Sequence, residues 1–100
     1  MPEKVLTKEE ILSVLRKNKS FFKKKYDIDN IILFGSFARG DATDESDVDI
    51  LLESTSKSFD ALFRIKELLE KELDRKVDLA YRDAVRTFVL EFIEKDFIYA

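Results

Sequence analysis

The chain has 100 residues, the size of one domain, so we expect a single domain over residues 1–100. Hydrophobic residues make up 45% and charged residues 39%, which excludes both a disordered tail and a membrane protein. The sequence has no Cys and no His, so disulfides, thiolate zinc sites, cysteine nucleophiles and imidazole bases are excluded. A metal site would need oxygen ligands, which Mg²⁺, Mn²⁺ and Ca²⁺ prefer.

The net charge of −3 is unevenly distributed along the chain. Residues 1–26 carry eight basic and three acidic side chains, whereas residues 27–60 carry nine acidic and two basic ones. An acidic centre argues against direct nucleic-acid binding and suits a cation site. No apolar run approaches the ~20 residues of a membrane-spanning helix and no signal-peptide pattern is present, so we expect a cytoplasmic protein.

The first half of the chain alternates between helical and extended patterns. We predict a helix, a strand, a short helical turn, a polar loop and a second strand over residues 7–26, 28–34, 36–39, 41–46 and 47–52. Thr7 and Glu10 form a capping box that opens the first helix. Gly40 closes the helical turn, and the second strand becomes fully apolar after its start, as a buried strand does.

The second half predicts a helix, a strand, a helix and a short apolar end over residues 58–74, 76–81, 84–95 and 97–99. The helix over 58–74 is amphipathic, with a predicted buried stripe of Phe59, Leu62, Phe63, Leu69 and Leu73. The element order predicts one α/β domain, in which the helix over about 7–26 precedes a core over about 28–99.

Gly35 and Ser36 stand where the first predicted strand ends and the helical turn begins. Free backbone N–H groups at such a turn, together with the Ser36 hydroxyl, make a place for phosphate oxygens. Gly35 lets a ligand approach the backbone closely. This is not a P-loop, because no Gly-Lys-Ser/Thr follows at the required spacing. The simpler alternative is that Ser36 is a helix N-cap.

Three Asp residues are candidates for a divalent-cation site. Asp47 and Asp49 are two apart on a predicted strand, which puts their carboxylates on one face, about 6–7 Å apart along the chain. Asp78 joins that face if the later apolar strand pairs beside the first two, where it could accept a proton from an attacking hydroxyl. Carboxylates that share two Mg²⁺ ions can activate an attacking oxygen and neutralise a leaving pyrophosphate. The alternative is a solvated strand face.

These residues together resemble a known family. Gly35-Ser36, Arg39-Gly40, Ser46-Asp47-Val48-Asp49 and a later Asp78 are similar to the motifs of the polymerase β-like nucleotidyltransferase superfamily. The match is closest to its minimal nucleotidyltransferases, the MntA-type antitoxins of HEPN/MNT toxin–antitoxin modules. The motif covers residues 34–52. The resemblance implies a polymerase β palm-like fold, a small mixed β-sheet flanked by α-helices in a single domain.

The resemblance also implies an activity and a partner. Such proteins are typically antitoxins of a helical HEPN-domain ribonuclease, so it implies transfer of AMP from ATP to a toxin tyrosine, which inactivates the toxin. The implied cofactor is Mg²⁺, as two ions, with Mn²⁺ as a substitute. The implied catalytic and metal-binding residues are Asp47, Asp49 and Asp78. The implied nucleotide-binding residues are Gly35, Ser36, Arg39 and Ser46.

Two other functions stay open at this point. A non-catalytic antitoxin would neutralise the toxin by direct binding, as the apolar stripe of the predicted C-terminal helix suggests: Phe88, Val89, Phe92 and Ile93. A nucleotidyltransferase acting on a small molecule or RNA is the third reading, although such enzymes usually need extra substrate-binding elements. Arg39 itself either contacts a phosphate or pairs with acids of the loop that follows it.

Overall fold

The computed structural model describes residues 6–100. This part of the chain forms four helices and four strands, joined by loops and turns. The helices are α1 (Lys8–Tyr26), α2 (Gly35–Arg39), α3 (Phe59–Leu73) and α4 (Thr87–Ile93). The strands are β1 (Ile28–Phe34), β2 (Val48–Ser54), β3 (Val77–Tyr81) and β4 (Ile98–Tyr99). Single 3₁₀ turns at Arg82–Ala84 and Glu94–Asp96 flank α4. Among these described helices, none is long and apolar enough to cross a membrane.

The sheet is mixed, as expected, with strand order β3-β2-β1-β4. β1 pairs antiparallel with both β2 and β4, whereas β2 pairs parallel with β3. A parallel pair needs a crossover connection, and α3 provides it between β2 and β3. β2 therefore lies between β1 and β3, and the start of β2 is flanked by the end of β1 and the start of β3.

The start of α1 is confirmed by its hydrogen bonds. The Thr7 hydroxyl accepts from the Glu10 backbone N–H at 3.1 Å, and the Glu10 carboxylate accepts from the Thr7 N–H at 3.3 Å. α3 begins in the same manner, since the Ser58 hydroxyl accepts from the Ala61 N–H at 3.1 Å. Both caps satisfy backbone donors that the first helical turn leaves free.

One face of the sheet packs on α1 and α3 and forms the core. Alternate residues of β1 and β2 supply that face, and they are fully buried: Ile31, Leu33, Val48, Ile50 and Leu52. Helix residues at i, i+4 spacing cover them, including Ile11, Leu15, Ile65 and Leu69. The core thus uses every second strand residue, which leaves the residues between them for the other face.

The predicted stripe on α3 is wrong in part. Phe59 and Phe63 are 85% and 63% exposed, whereas the buried face runs through Ala61, Ile65, Leu69 and Leu73. α3 carries two neighbouring apolar stripes, and the buried one repeats every four residues along the whole helix. The buried stripe begins with the small Ala61, whereas the two large rings lie on the exposed stripe.

The C-terminal region is more broken than predicted. The helix expected over residues 84–95 is α4 alone, seven residues long, with a 3₁₀ turn on each side. The apolar end forms β4, in which Ile98 pairs with Leu33 on β1. The Phe97 ring lies 6.0 Å from the Phe34 ring, centroid to centroid. This region therefore returns to the sheet beside the end of β1, where the predicted site lies.

Candidate active site

Asp49 lies at the centre of the candidate site. It occupies the second position of β2, paired with Phe34 on β1 and with Asp78 on β3. Residues paired directly across strands point to the same face of a sheet, so Asp49 and Asp78 share a face as predicted. Asp47 lies one residue before β2, so the predicted strand began one residue too early.

The three carboxylates interact electrostatically. Asp49 is half-buried, while Asp47 and Asp78 are exposed. The pKa of Asp49 is raised, mainly because burial disfavours its charged form and then because the charges of Asp78 and Asp47 repel it; Arg39 opposes this shift. The site in the absence of a cation therefore carries negative charge that the protein balances only in part.

Gly35 is required at the start of α2 for two reasons. Its φ of +79° is a conformation that side chains rarely adopt. A Cβ at this position would lie 2.2 Å from the Asp49 carboxylate oxygen Oδ2, a distance that no real contact allows. The backbone of α2 thus passes directly beside the Asp49 carboxylate, which places the Gly35-Ser36 segment and the acidic residues in one site.

Ser36 is not the N-cap of α2, so that alternative for the residue is wrong. The cap is Phe34, which makes no side-chain cap hydrogen bond. The Ser36 carbonyl accepts from the N–H groups of Gly40 and Asp41 at 2.9 and 3.0 Å, which closes the turn. Gly40 stands after α2 in the left-handed conformation, with φ of +89°, as predicted. The first turn of α2 therefore lacks a side-chain cap, and the Ser36 hydroxyl does not serve as one.

Arg39 pairs with two carboxylates. Its Nε lies 3.2 Å from Asp41 and its terminal nitrogen lies 3.1 Å from Asp96, whose side chain is only 12% exposed. The contact to Asp41 matches the alternative in which Arg39 pairs with the following loop. The contact to Asp96 was not predicted, because it joins α2 to a distant 3₁₀ turn. Arg39 also lies close enough to Asp49 to affect its pKa.

The loop between α2 and β2 has its own hydrogen bonds. The Ser46 hydroxyl accepts from the Thr43 N–H at 2.8 Å, so this predicted nucleotide-binding residue also organises the loop. Arg75, which precedes β3, donates to the carbonyls of Ser46 and Thr43 at 3.1 and 3.4 Å. Sequence reasoning missed Arg75. The one available signal was a basic residue standing directly before the predicted strand over residues 76–81, which carries Asp78.

The acidic residues have the chemistry of a magnesium or manganese site. Their donors are carboxylate oxygens, and the charges of Asp78 and Asp47 add to burial in raising the pKa of Asp49, so a cation here would offset mutual repulsion. Within residues 6–100, no group of three or more acidic side chains is arranged to hold a metal by itself. Mg²⁺ commonly takes one or two carboxylates and completes its coordination with substrate phosphates and water. Asp47 and Asp49 fit that requirement.

Two surface cavities lie away from the acidic residues. One of about 560 Å³ lies between the start of α1 and the end of α3, lined by residues such as Glu10 and Glu72. Another of about 400 Å³ lies between the opposite ends of the same helices, lined by residues such as Tyr26 and Ser58. Neither contains a predicted site residue. Asp49 and Asp78 instead lie on the open face of the sheet, meaning the face opposite α1 and α3. That face is exposed at Asp78 but covered further along, where Ile32 and Leu51 are buried.

Comparison with known proteins identifies relatives over almost the whole chain. A relative from Methanocaldococcus jannaschii, provisionally named a protein adenylyltransferase, is 43% identical over 97 residues and spans 93% of this chain and 97% of its own. The protein adenylyltransferase MntA of Thermococcus cleftensis is 31% identical over 96 residues, spanning 95% of this chain and 97% of its own.

Solved structures share the fold. A structure provisionally named a minimal nucleotidyltransferase matches with a TM-score of 0.81 at 23% identity, over 96% of this chain and 98% of its own. A toxin–antitoxin structure with AMP-PNP matches with a TM-score of 0.61 at 27% identity, over 84% of this chain and 64% of its own. A complex of tri-AMPylated Shewanella oneidensis HEPN toxin with an MNT antitoxin matches with a TM-score of 0.60 at 22% identity. The match covers 92% of this chain and 66% of its own.

The family model described as the nucleotidyltransferase domain matches residues 15–100, which include α2, β2 and β3 with every predicted site residue. The matched region also contains the close approach of Gly35 to Asp49 and the pairing of Asp49 with Asp78. The chain therefore belongs to the nucleotidyltransferase domain family and is a nucleotidyltransferase with the minimal form of the fold.

Proposed function

We propose that this chain is an antitoxin-type protein nucleotidyltransferase that transfers AMP from ATP to a tyrosine of a HEPN-domain toxin and thereby inactivates it. The observation that carries the proposal is the placement of Gly35 against Asp49, with Asp78 paired beside Asp49. This arrangement brings a phosphate-binding turn and a set of carboxylates onto one open face. The relative named protein adenylyltransferase MntA supports a protein acceptor.

The solved complexes support the partner and the nucleotide. One matched structure is a toxin–antitoxin pair with AMP-PNP, an analogue of ATP, and another contains an AMPylated HEPN toxin with its MNT antitoxin. A macromolecular acceptor also suits a site in which Asp47 and Asp78 are exposed, since the two cavities described above lie elsewhere. We propose that the partner surface completes the acceptor side of the site.

In the proposed mechanism, Asp47 and Asp49 would hold Mg²⁺ or Mn²⁺, with Asp78 as a further ligand. When bound, such ions would supply positive charge that offsets the charge of the triphosphate and of the departing pyrophosphate. The backbone N–H groups of Gly35 and Ser36, with the Ser36 hydroxyl, donate to triphosphate oxygens. Ser46 contributes to nucleotide binding through the loop that it organises.

Arg39 is proposed to contact a phosphate, which requires it to exchange one of its two carboxylate partners, Asp41 or Asp96, for that phosphate. The tyrosine oxygen attacks the α-phosphorus of ATP, and the bond from that phosphorus to the bridging oxygen breaks as pyrophosphate leaves. Asp78 is exposed on the same face and accepts the tyrosine proton. The products are the AMP ester of tyrosine and pyrophosphate.

The experiment that tests this proposal is intact-mass spectrometry of a HEPN protein, sought as the product of a gene beside that of this chain. The HEPN protein is incubated with this chain, Mg²⁺ and each nucleoside triphosphate in turn. We expect the mass to rise by one or more AMP groups with ATP, and peptide mapping to place them on tyrosine. A stable complex with no mass gain would instead support neutralisation by binding, and no complex would redirect the search to small molecules and RNA.

A matched pair of variants assigns the result to the site. Asp47→Asn removes one proposed metal ligand, while Asp44→Asn removes the same charge from the same loop without touching the proposed site. We expect the first variant to abolish the mass gain and the second to retain it. Equal losses in both would show that the loop charge, and not Asp47 itself, is what the reaction needs.

The second candidate function, neutralisation by direct binding, is favoured by one observation. Phe88 and Phe92, one turn apart on α4, are 67% and 74% exposed. Rings exposed to that extent are typical of a surface that another protein covers. The double variant Asp47→Asn/Asp49→Asn distinguishes the two functions: it would still neutralise the toxin if binding alone were sufficient.

Cytoplasmic location and a small-molecule or RNA acceptor stay predictions.

A further inference from the structure

We infer that Arg75 is a positioning residue for Asp47, which it holds in place by fixing the backbone of the acidic loop (residues 41–47). The inference rests on the proposed function, in which Asp47 is a metal ligand. The acidic loop carries four carboxylates: Asp41, Asp44, Glu45 and Asp47. Like charges so close together repel one another and favour an open loop, so the loop needs a cationic or backbone anchor.

The anchor acts on both sides of Asp47. On one side, the Arg75 terminal nitrogen donates to the Ser46 carbonyl at 3.1 Å. On the other side, the Val48 N–H donates to the Lys76 carbonyl at 2.9 Å. Two consecutive residues that lead directly into β3, Arg75 and Lys76, therefore hold the two peptide groups that flank Asp47. Because β3 also carries Asp78, this arrangement fixes Asp47 relative to Asp78.

Arg75 also reaches α2. Its guanidinium carbon lies 5.5 Å from the centre of the Phe37 ring, and Phe37 is buried directly after Ser36. The same nitrogen that binds the Ser46 carbonyl makes a weaker contact, 3.4 Å long, to the Thr43 carbonyl. The Arg75 side chain, just before β3, therefore joins the acidic loop to α2, which carries the proposed phosphate-binding segment Gly35-Ser36.

An arginine suits this place better than a lysine. A planar guanidinium can stack on a ring and donate in its plane at once, whereas an ammonium is a point charge that is more strongly hydrated. Arg75 is half-buried, so its hydrogen bonds to two carbonyls are partly protected from water.

The test compares Arg75→Ala and Arg75→Lys with the wild-type chain in two measurements that need no catalysis. Hydrogen exchange by mass spectrometry reports the opening of residues 43–48, and calorimetry reports binding of Mn²⁺ in the presence of AMP-PNP. We expect Arg75→Ala to speed exchange in that segment about tenfold and to weaken Mn²⁺ binding by a similar factor, since charged hydrogen bonds are lost. Arg75→Lys should show an intermediate effect.

Arg64→Ala is the matched control, because it removes an exposed arginine from α3 whose partner is Asp60. We expect the Arg64 variant to leave loop exchange and Mn²⁺ binding unchanged. If Arg75→Ala fails to fold, the loop exchange and Mn²⁺ binding of Arg75→Lys alone test the inference. Unchanged loop exchange, or a loosened loop with unchanged Mn²⁺ affinity, would overturn the inference. Both readouts can be scored even if no AMP transfer to a toxin is ever found, so the two proposals fail separately.

Discussion

The two faces of β2 are built from neighbouring residues but serve different purposes. Val48 and Ile50 point to α1 and α3 and are fully buried, whereas Asp49 between them lies half-buried on the opposite face, next to the exposed Asp78. The first pair stabilises the fold by removing apolar surface from water. Asp49 has a raised pKa because the fold buries it near two other carboxylates. Stability and chemistry are therefore separated by one position along the strand, and substitutions can test them separately.

The largest effect should come from the open face. Asp49→Asn keeps the shape of the side chain but removes the charge that the proposed cation needs. We expect AMP transfer to fall at least about 10³-fold, with the urea midpoint of unfolding unchanged or raised. The rate of mass gain on the partner and a urea titration measure the two quantities. Transfer at the wild-type rate would show that Asp49 is not a metal ligand.

One residue further along, Ile50→Ala should have the opposite pattern. Removing a buried aliphatic side chain from the core leaves a cavity and costs about 2–5 kcal/mol in the free energy of unfolding. The rate per folded molecule should change far less than in Asp49→Asn. Urea unfolding with active-site titration of the folded fraction checks this. A stability loss below about 1 kcal/mol would mean that the core relaxes around the cavity.

Gly35→Ala tests the contact through which α2 reaches the open face. The new Cβ would clash with the Asp49 carboxylate, and the alanine would also have to adopt the strained backbone φ of +79°. Gly40→Ala is the control, since its φ of +89° is equally strained but nothing lies within 4 Å of an added Cβ. Both variants should lose about 1–2 kcal/mol of stability from strain. Only Gly35→Ala should lose AMP transfer by at least about tenfold, because only it displaces Asp49.

Local signals were sufficient to predict most of the fold. The capping residue Thr7 and the closing residue Gly40 act on backbone groups within a few positions, so their effects can be derived from neighbours in the sequence. β4 could not be derived in that way, because its two residues become a strand only by pairing with β1. The burial of α3 was assigned in part to the wrong stripe, since Phe59 is apolar yet faces water.

The same distinction applies to the site. The Asp-x-Asp spacing and a third Asp on an apolar strand predicted that Asp49 and Asp78 would share a face, because strand periodicity requires it once the strands pair. Arg75 and Asp96 were missed because their contacts join separate elements. Periodicity predicts which face a residue occupies, but it does not predict which distant side chain approaches that face.

The smallest predicted effect is a pH dependence of stability that separates the two faces without any substrate. The folded pKa of Asp49 lies above its ordinary value of 3.8, so between these two values the unfolded chain binds fewer protons than the folded one. The contribution of Asp49 to the free energy of unfolding therefore falls as pH rises through that window. This loss of stability persists at neutral pH. Asp49→Asn mimics the neutral carboxyl and so avoids the stability that ionisation of Asp49 costs.

In EDTA, the melting temperature of Asp49→Asn should thus exceed that of the wild-type chain at pH 7, and the difference should shrink towards zero near pH 3.8 and below. The effect is small because the side chain is only half-buried and water screens its neighbours. Adding Mg²⁺ at pH 7 should then raise the melting temperature of the wild-type chain alone, since a ligand stabilises only the fold that binds it. A pH-independent difference would mean that the asparagine acts through packing and not through charge.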